Sequence, residues 1–339
     1  MTGEAVVEDE FEATARPDAS SRVAPRRWRG ELRTNEPMAQ HVSWRAGGAV
    51  DRAYTPLDLV DVCAFLRSLR PDEPIYFVGL GSNLLVRDGG LRGTVIFTHR
   101  ALRHIALRDS RGNGGELTVE AGVASPKVAR FAAMHDLVGA EFLAGIPGTM
   151  GGALAMNAGC YGSETWDVVR RVRTVDRAGN LHERTPGHFR IAYRTVKSRY
   201  QPLAVPRAAG ASRRADAPNE WFVDAVLVLA RGDGAESRRK VKELLARRIA
   251  TQPLGQPNAG SVFRNPPGTY AARLIEDCGL KGHAIGGAVI SPKHANFIVN
   301  TGTARAADIE ALIELAERSV KQKFDVELER EVRIVGEAR

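Results

Sequence analysis

Apolar residues recur at helical spacing at Leu59, Val62, Cys63 and Leu66, behind a Thr55-Pro56 start, which predicts a helix there. Ile75–Val78 and residues 95–97 are short apolar runs that predict buried strands. Ser125-Pro126 opens a second helix with Val128, Phe131 and Ala132 on its apolar side. Residues 172–175 and Leu181–Arg184 flank Ala178-Gly179-Asn180, a hairpin signal, and residues 222–230 predict a further strand. Three amphipathic helices follow. The first carries Val241, Leu244, Leu245 and Ile249; the second carries Ala271, Leu274, Ile275 and Cys278 and stops at Gly279; the third carries Ile309, Leu312, Ile313, Ala316 and Val320. Strands at 297–299 and 331–335 are expected to pair with each other in the last unit. The chain therefore reads as α+β, with units at 36–103, 104–248 and 249–339 and no internal repeat. Residues 1–35 lack apolar periodicity and read as a disordered leader, and 200–220 reads as a flexible insert.

Composition changes this picture little. The 43% hydrophobic and 26% charged fractions are those of a soluble globular protein. No run of eighteen apolar residues is available to span a membrane, and Glu4, Glu8, Asp9 and Glu10 occupy the place of a secretory signal, so a cytoplasmic protein is expected. Cys63, Cys160 and Cys278 lie far apart without metal-ligand spacing, which fits a reducing compartment and no disulfides; no His/Asp/Glu cluster suggests a metal. The net charge of +8 favours anionic ligands. Arginine is nevertheless scattered, without aromatic interleaving, and argues against nucleic acid as a partner.

Two glycine-rich segments carry the chemistry. In Val78-Gly79-Leu80-Gly81-Ser82-Asn83-Leu84, Gly79 and Gly81 follow a strand, but Leu84 stands where a dinucleotide fingerprint needs its third glycine, and the next residues read as strand. What remains is a tight turn or a backbone approach to an anion, with Ser82 and Asn83 as added donors. The second segment, 145–159, contains Gly145, Ile146, Pro147, Gly148, Gly151, Gly152, Asn157 and Gly159. A mobile linker would not carry Ile146, Met150, Leu154 and Met156, so a ligand lying against the backbone is the favoured reading.

Read in order, Ser43-Trp44-Arg45-Ala46-Gly47-Gly48, the 79–86 loop, Ala121-Gly122, Pro126-Lys127-Val128-Ala129, the 145–159 segment, Tyr193-Arg194, Asn258-Ala259-Gly260-Ser261-Val262-Phe263-Arg264-Asn265-Pro266 and Glu331-Val332-Arg333 resemble the UDP-N-acetylenolpyruvoylglucosamine reductases. That resemblance implies an FAD-binding fold of the vanillyl-alcohol-oxidase type in two subdomains, with a C-terminal substrate-binding domain. It implies non-covalent FAD, held by Gly79, Gly81, Ser82, Asn83 and the 145–159 residues named above. NADPH is the implied hydride donor, and UDP-N-acetylglucosamine enolpyruvate the substrate reduced to UDP-N-acetylmuramate for peptidoglycan.

By the same likeness Ser261 is the proton donor, Arg194 binds the substrate carboxylate and Glu331 polarises the substrate, with Asn265 and Tyr193 as substrate contacts. Lys281 and His294 are read as surface residues. Val196 and Arg330 depart from the family pattern, which commonly has serine and proline there. The short linker after residue 230 is similar to that of the class lacking a tyrosine-bearing insertion, and a monomer is expected. A flavin oxidase of a small alcohol or sugar, and a non-catalytic basic binding protein, are the competing readings.

Overall fold

A computed structural model describes residues 28–109, 114–199 and 220–339; most of the expected leader and residues 200–219 of the expected insert lie outside the described residues. The first unit contains β1 (Glu31–Pro37), β2 (Ala49–Thr55), α1 (Leu59–Ser68), β3 (Ile75–Val78), β4 (Leu84–Val86) and β5 (Leu91–Phe97). Its four-stranded sheet runs β1-β2-β5-β3, with β1 antiparallel to β2 and the other pairs parallel. Strand β1 falls where a disordered leader was expected. Its mostly polar face is that of an edge strand, so it carries no apolar alternation, and it is held by pairing with β2 and by Trp28 packed edge-on against Tyr54 and Phe65. Helix α1 begins at Leu59 rather than at Pro56, because Asp58 is its cap and accepts a hydrogen bond from Asp61 N–H at 2.8 Å.

The second unit holds β6 (Ile105–Asp109), β7 (Gly114–Glu120), α2 (Ser125–Met134), β8 (Leu137–Val138), α3 (Met150–Met156), β9 (Gly159–Cys160), β10 (Ser163–Glu164), β11 (Val169–Asp176), β12 (Leu181–Arg184), β13 (Phe189–Ala192), β14 (Thr195–Ser198), β15 (Glu220–Arg231) and α4 (Gly234–Thr251). Its antiparallel sheet runs β12-β11-β15-β7-β6, with β8 on the end of β15. Helices α2, α3 and α4 cover one face around Val128, Leu143, Leu154, Leu227 and Val241. Only Gly232 and Asp233 separate β15 from α4.

The third unit comprises α5 (Ala271–Asp277), β16 (Ala284–Ile285), β17 (Ala288–Ile290), β18 (Ile298–Asn300), α6 (Ala306–Phe324) and β19 (Arg333–Val335). Strands β16, β17 and β18 form a meander, but β19 does not join it. It pairs instead with β4 of the first unit, in parallel, Arg333 opposite Leu84. The expected pairing with 297–299 is therefore wrong: the outer edge of β18 is taken by Trp44 Nε1–H on Ile298 O and by Asn300 N–H on Pro257 O, whereas β4 has a free edge. Trp44 seals the same junction. It is fully buried in the C-terminal core, its Nε1–H donates to Ile298 O at 2.7 Å, and Asn300 Nδ2 donates to its carbonyl at 2.8 Å. A separate cluster of Phe65, Leu66, Val175, Trp221 and Val223 joins the first and second units. The glycine-rich segments sit where these junctions converge.

Candidate active site

The first glycine segment links β3 to β4. Gly81 turns the chain at φ +61°, where a Cβ would lie 2.2 Å from His41 O, so a side chain is excluded on both counts. A Cβ on Gly79 would fall 2.3 Å from Thr149 Oγ1, and one on Gly148 would fall 2.9 Å from Ser82 Oγ. The two glycine segments thus touch each other. The second is also tied to the 121–125 turn: Gly151 N–H donates to Ala121 O and Met150 N–H to Val123 O, both at 2.8 Å, and Ser125 N–H donates to Gly148 O at 3.0 Å.

The protein's own packing accounts for several of these residues. Gly145 is glycine because Cys160 and Tyr161 pack on it, Gly151 because Ala121 does, and Gly159 because Ser163 O does. Of the glycines in 145–159 only Gly152 faces open space. Residues 150–156 are a helical turn, α3, not an open loop. Ile146 is core and Pro147 exposed. The side chain of Asn157 is buried and engaged within the protein: Nδ2 donates to Glu164 Oε2 at 2.6 Å and Ala192 O at 3.3 Å, and Oδ1 accepts from Trp166 N–H at 3.1 Å. Its left-handed φ of 44° ends α3 and turns the chain toward β9.

Asn157 also connects this segment to Arg194, at the tip of the β13–β14 hairpin. Arg194 has φ +52°, and its guanidinium donates to Gly159 O at 3.0 Å and Asn157 O at 3.5 Å. Its Nε lies 2.8 Å from Glu331 Oε1, an ion pair in which both side chains are more than four-fifths buried. The Nε–H direction misses the oxygen, so that atom has close charge contact but no hydrogen bond. Burial pushes the Glu331 carboxyl above its ordinary range, against the opposing pull of Arg194 and Arg264. Tyr193 is exposed, with the Arg194 guanidinium 5.2 Å from its ring centre.

Glu331 is held by the Ser261 loop. Its N–H donates to Val262 O at 2.8 Å, and its own carbonyl accepts from Asn83 Nδ2 at 3.1 Å. Asn83 thereby joins the first glycine segment to the catalytic candidates. Ser261 follows Gly260, at φ +75°, between buried Ala259 and Val262. Its loop is clamped by Asn296, whose carbonyl accepts from Val262 N–H and whose amide bonds both main-chain groups of Phe263. Ser261 is partly buried, and its hydroxyl makes no hydrogen bond among the described residues. The structure therefore brings Ser261, Arg194 and Glu331 together beside Asn83. Asn265 stands apart as an exposed residue whose Oδ1 accepts from Ala271 N–H at the start of α5. Lys281 pairs with Glu276 at 2.6 Å, and His294 packs edge-on against Phe297.

The geometry has counterparts in known proteins. Residues 252–335 match the family described as UDP-N-acetylenolpyruvoylglucosamine reductase, C-terminal domain, and residues 49–185 match an FAD binding domain. A UDP-N-acetylenolpyruvoylglucosamine reductase of Nitrosospira multiformis is 56% identical over 313 residues, covering 91% of this chain and 89% of the relative. The chain belongs to the UDP-N-acetylenolpyruvoylglucosamine reductase family. The reductase of Methylococcus capsulatus is 54% identical, covering 96% of this chain and 99% of its own. The crystal structure of the reductase from Thermus caldophilus superposes with a TM-score of 0.70 at 30% identity, over 90% of this chain and 98% of that one.

The fold is accordingly the α+β FAD-binding type with a C-terminal reductase domain, and the chain is an FAD-dependent oxidoreductase of that family. The residues present fit that cofactor. Among the described residues the N–H groups of residues 79–83, and of Gly148, Thr149 and Gly152, donate no hydrogen bond. They are backbone donors of the kind a diphosphate takes up. Ser125 Oγ, beside Gly148, is buried without a partner. The sequence reading of this reductase missed Ser125, Asn296, Arg264 and Arg333. Only Arg264 and Arg333 lay in quoted motifs, and nothing in residue type separates them from the chain's many other arginines.

Proposed function

We propose that this chain reduces UDP-N-acetylglucosamine enolpyruvate to UDP-N-acetylmuramate, with NADPH as the reductant. The carrying observation is the convergence of Ser261, Arg194 and Glu331, from three separate parts of the chain, beside the glycine segments. When bound, FAD supplies the hydride relay, taking hydride from NADPH and passing it to the enolpyruvyl methylene carbon. The residues of this chain do the rest. Arg194 holds the substrate carboxylate, and its guanidinium stabilises the negative charge that grows there as the double bond is reduced. Glu331 fixes the Arg194 side chain from one side, while the Gly159 and Asn157 carbonyls fix it from the other. Ser261 Oγ–H delivers a proton to the carbon bearing the ether oxygen, which completes addition of hydride and proton across the bond. Its partly exposed position lets water return that proton. Three carbonyl- and carboxylate-anchored contacts on Arg194 mean that little orientation remains to be lost on binding.

Gly79, Gly81, Ser82, Asn83 and the 145–152 residues are the proposed cofactor cradle, and the three units described above are the proposed domains. No helix among the described residues is long and apolar enough to cross a membrane.

The test separates the two half-reactions. In Ser261→Ala, NADPH is expected to bleach the flavin bands at the wild-type rate, while their return on adding the enolpyruvyl substrate slows by about 10²–10⁴. Equal slowing of both halves would remove proton donation from Ser261. Wild-type bands that bleach with NADPH and never return with this substrate would remove the substrate itself.

A further inference from the structure

We propose that Arg333 is a cofactor-tuning residue: its guanidinium faces the flavin ring and favours the negative charge that reduction places there. This rests on the FAD-dependent reductase reading above.

Arg333 opens β19, and its N–H donates to Asn83 O at 3.0 Å, directly at the end of the free-donor segment 79–83. It is thus attached to the cofactor side of the cleft, two residues from Glu331. Among the described residues its side chain makes no ion pair and no hydrogen bond. The neighbouring arginines differ. Arg194 is paired with Glu331, Arg87 with Glu310 and Arg330 with Glu317. Arg264, the cation nearest in effect to Arg333, pairs with Glu329 at 2.7 Å and bonds Arg194 O at 3.0 Å, yet its buried Nε–H has no acceptor. Crowding and the Arg264 charge together pull the Arg333 guanidinium below its usual value, although the side chain remains open to solvent.

A cation with a cation for a neighbour and no carboxylate of its own is stabilised by an anionic ligand. Two positions in the cleft would receive such charge. The substrate carboxylate is already served by Arg194. The flavin ring gains negative charge on reduction, and a fixed cation beside it raises its potential. Arg333, whose N–H is bonded to Asn83 O of the cofactor loop, is placed for that second role.

The experiment compares wild type, Arg333→Met and Arg333→Lys as purified holoenzymes. Two readouts need no turnover: the midpoint potential of the bound flavin, and its affinity for sulfite, which adds to the oxidised ring and leaves negative charge on it. In Arg333→Met both are expected to move at least tenfold against the charged form, equivalent to about 30 mV for a two-electron couple. Arg333→Lys is expected to recover part of each shift, because it keeps the charge without the planar fork. Unchanged potential and sulfite affinity with a raised KM for the enolpyruvyl substrate would overturn the proposal and make Arg333 a substrate anchor. Loss of FAD affinity, measured by titration, with an unchanged potential in the loaded protein would overturn it in favour of a phosphate anchor. The functional reading fails separately, if the NADPH-reduced wild-type flavin is not reoxidised by the enolpyruvyl substrate.

Discussion

Asn157 shows how much one side chain contributes to this site without belonging to its chemistry. Its left-handed backbone suits asparagine and strains alanine by about 1 kcal/mol. Its amide makes three protein hydrogen bonds, and removing it leaves Trp166 N–H without its partner and takes one bond each from the Glu164 carboxylate and the Ala192 carbonyl, at roughly 1 kcal/mol for each lost bond. Asn157→Ala is therefore expected to destabilise the fold by about 3–4 kcal/mol, read as a lowered urea midpoint at unchanged slope. Asn157→Gly should recover only the backbone share. If both variants melt like wild type, the polar hub is not what holds the Arg194 hairpin to α3. Neither the left-handed turn nor the partners are visible in the string Met-Asn-Ala-Gly, because Glu164, Trp166 and Ala192 lie outside it.

At the scale of elements, the two glycine segments act as one docking surface, and glycines in them have two different reasons to be glycine. Gly79 is forced by Thr149; Gly152 is not forced by the protein at all. Gly79→Ala is expected to separate the loops, lowering both thermal stability and FAD retention. Gly152→Ala, in a helix with room for the methyl group, should leave the apoprotein as stable or up to about 1 kcal/mol more so, while FAD affinity falls. A thermal melt of the apoprotein beside an FAD titration distinguishes them, and an unimpaired FAD affinity in Gly152→Ala would place the cofactor elsewhere. Helices α2, α5 and α6 and strands β3, β12 and β15 were legible in the sequence, since each buries a regular apolar stripe or ends in a recognisable turn. Strand β1 was not, because an edge strand in water needs no such stripe, and α3 was hidden by its glycines.

Over the whole molecule, ion pairs fasten the C-terminal unit to the first. Arg87, just after β4, forks onto Glu310 of α6 at 2.7 and 2.9 Å and also donates to Gly336 O. The Arg87 guanidinium holds the Glu310 carboxyl below its ordinary range. A carboxyl depressed in the folded state contributes stability above its unfolded value, near 4.5, and loses it as pH falls through the folded value. Arg87→Met is accordingly expected to lower stability at pH 7 by about 1 kcal/mol, the pair being partly exposed. The difference from wild type should shrink as pH falls through the folded value of Glu310, where the carboxyl takes up its proton. A gap that does not narrow as pH falls would assign the loss to packing of the arginine stem instead.

The sequence by itself determined the α+β class, the family and the three candidate catalytic residues. Apolar periodicity and short ordered motifs are local properties, and local properties survive in a string of letters. The tertiary structure decided which strand β19 joins, why all but one of the glycines in the two segments are glycine, how Asn157 reaches Arg194, and which of the arginines around Glu331 stands without a carboxylate. Most of these depend on atoms brought together across tens to hundreds of residues. A free sheet edge, an excluded Cβ and an unbalanced charge exist only once the chain has folded around them.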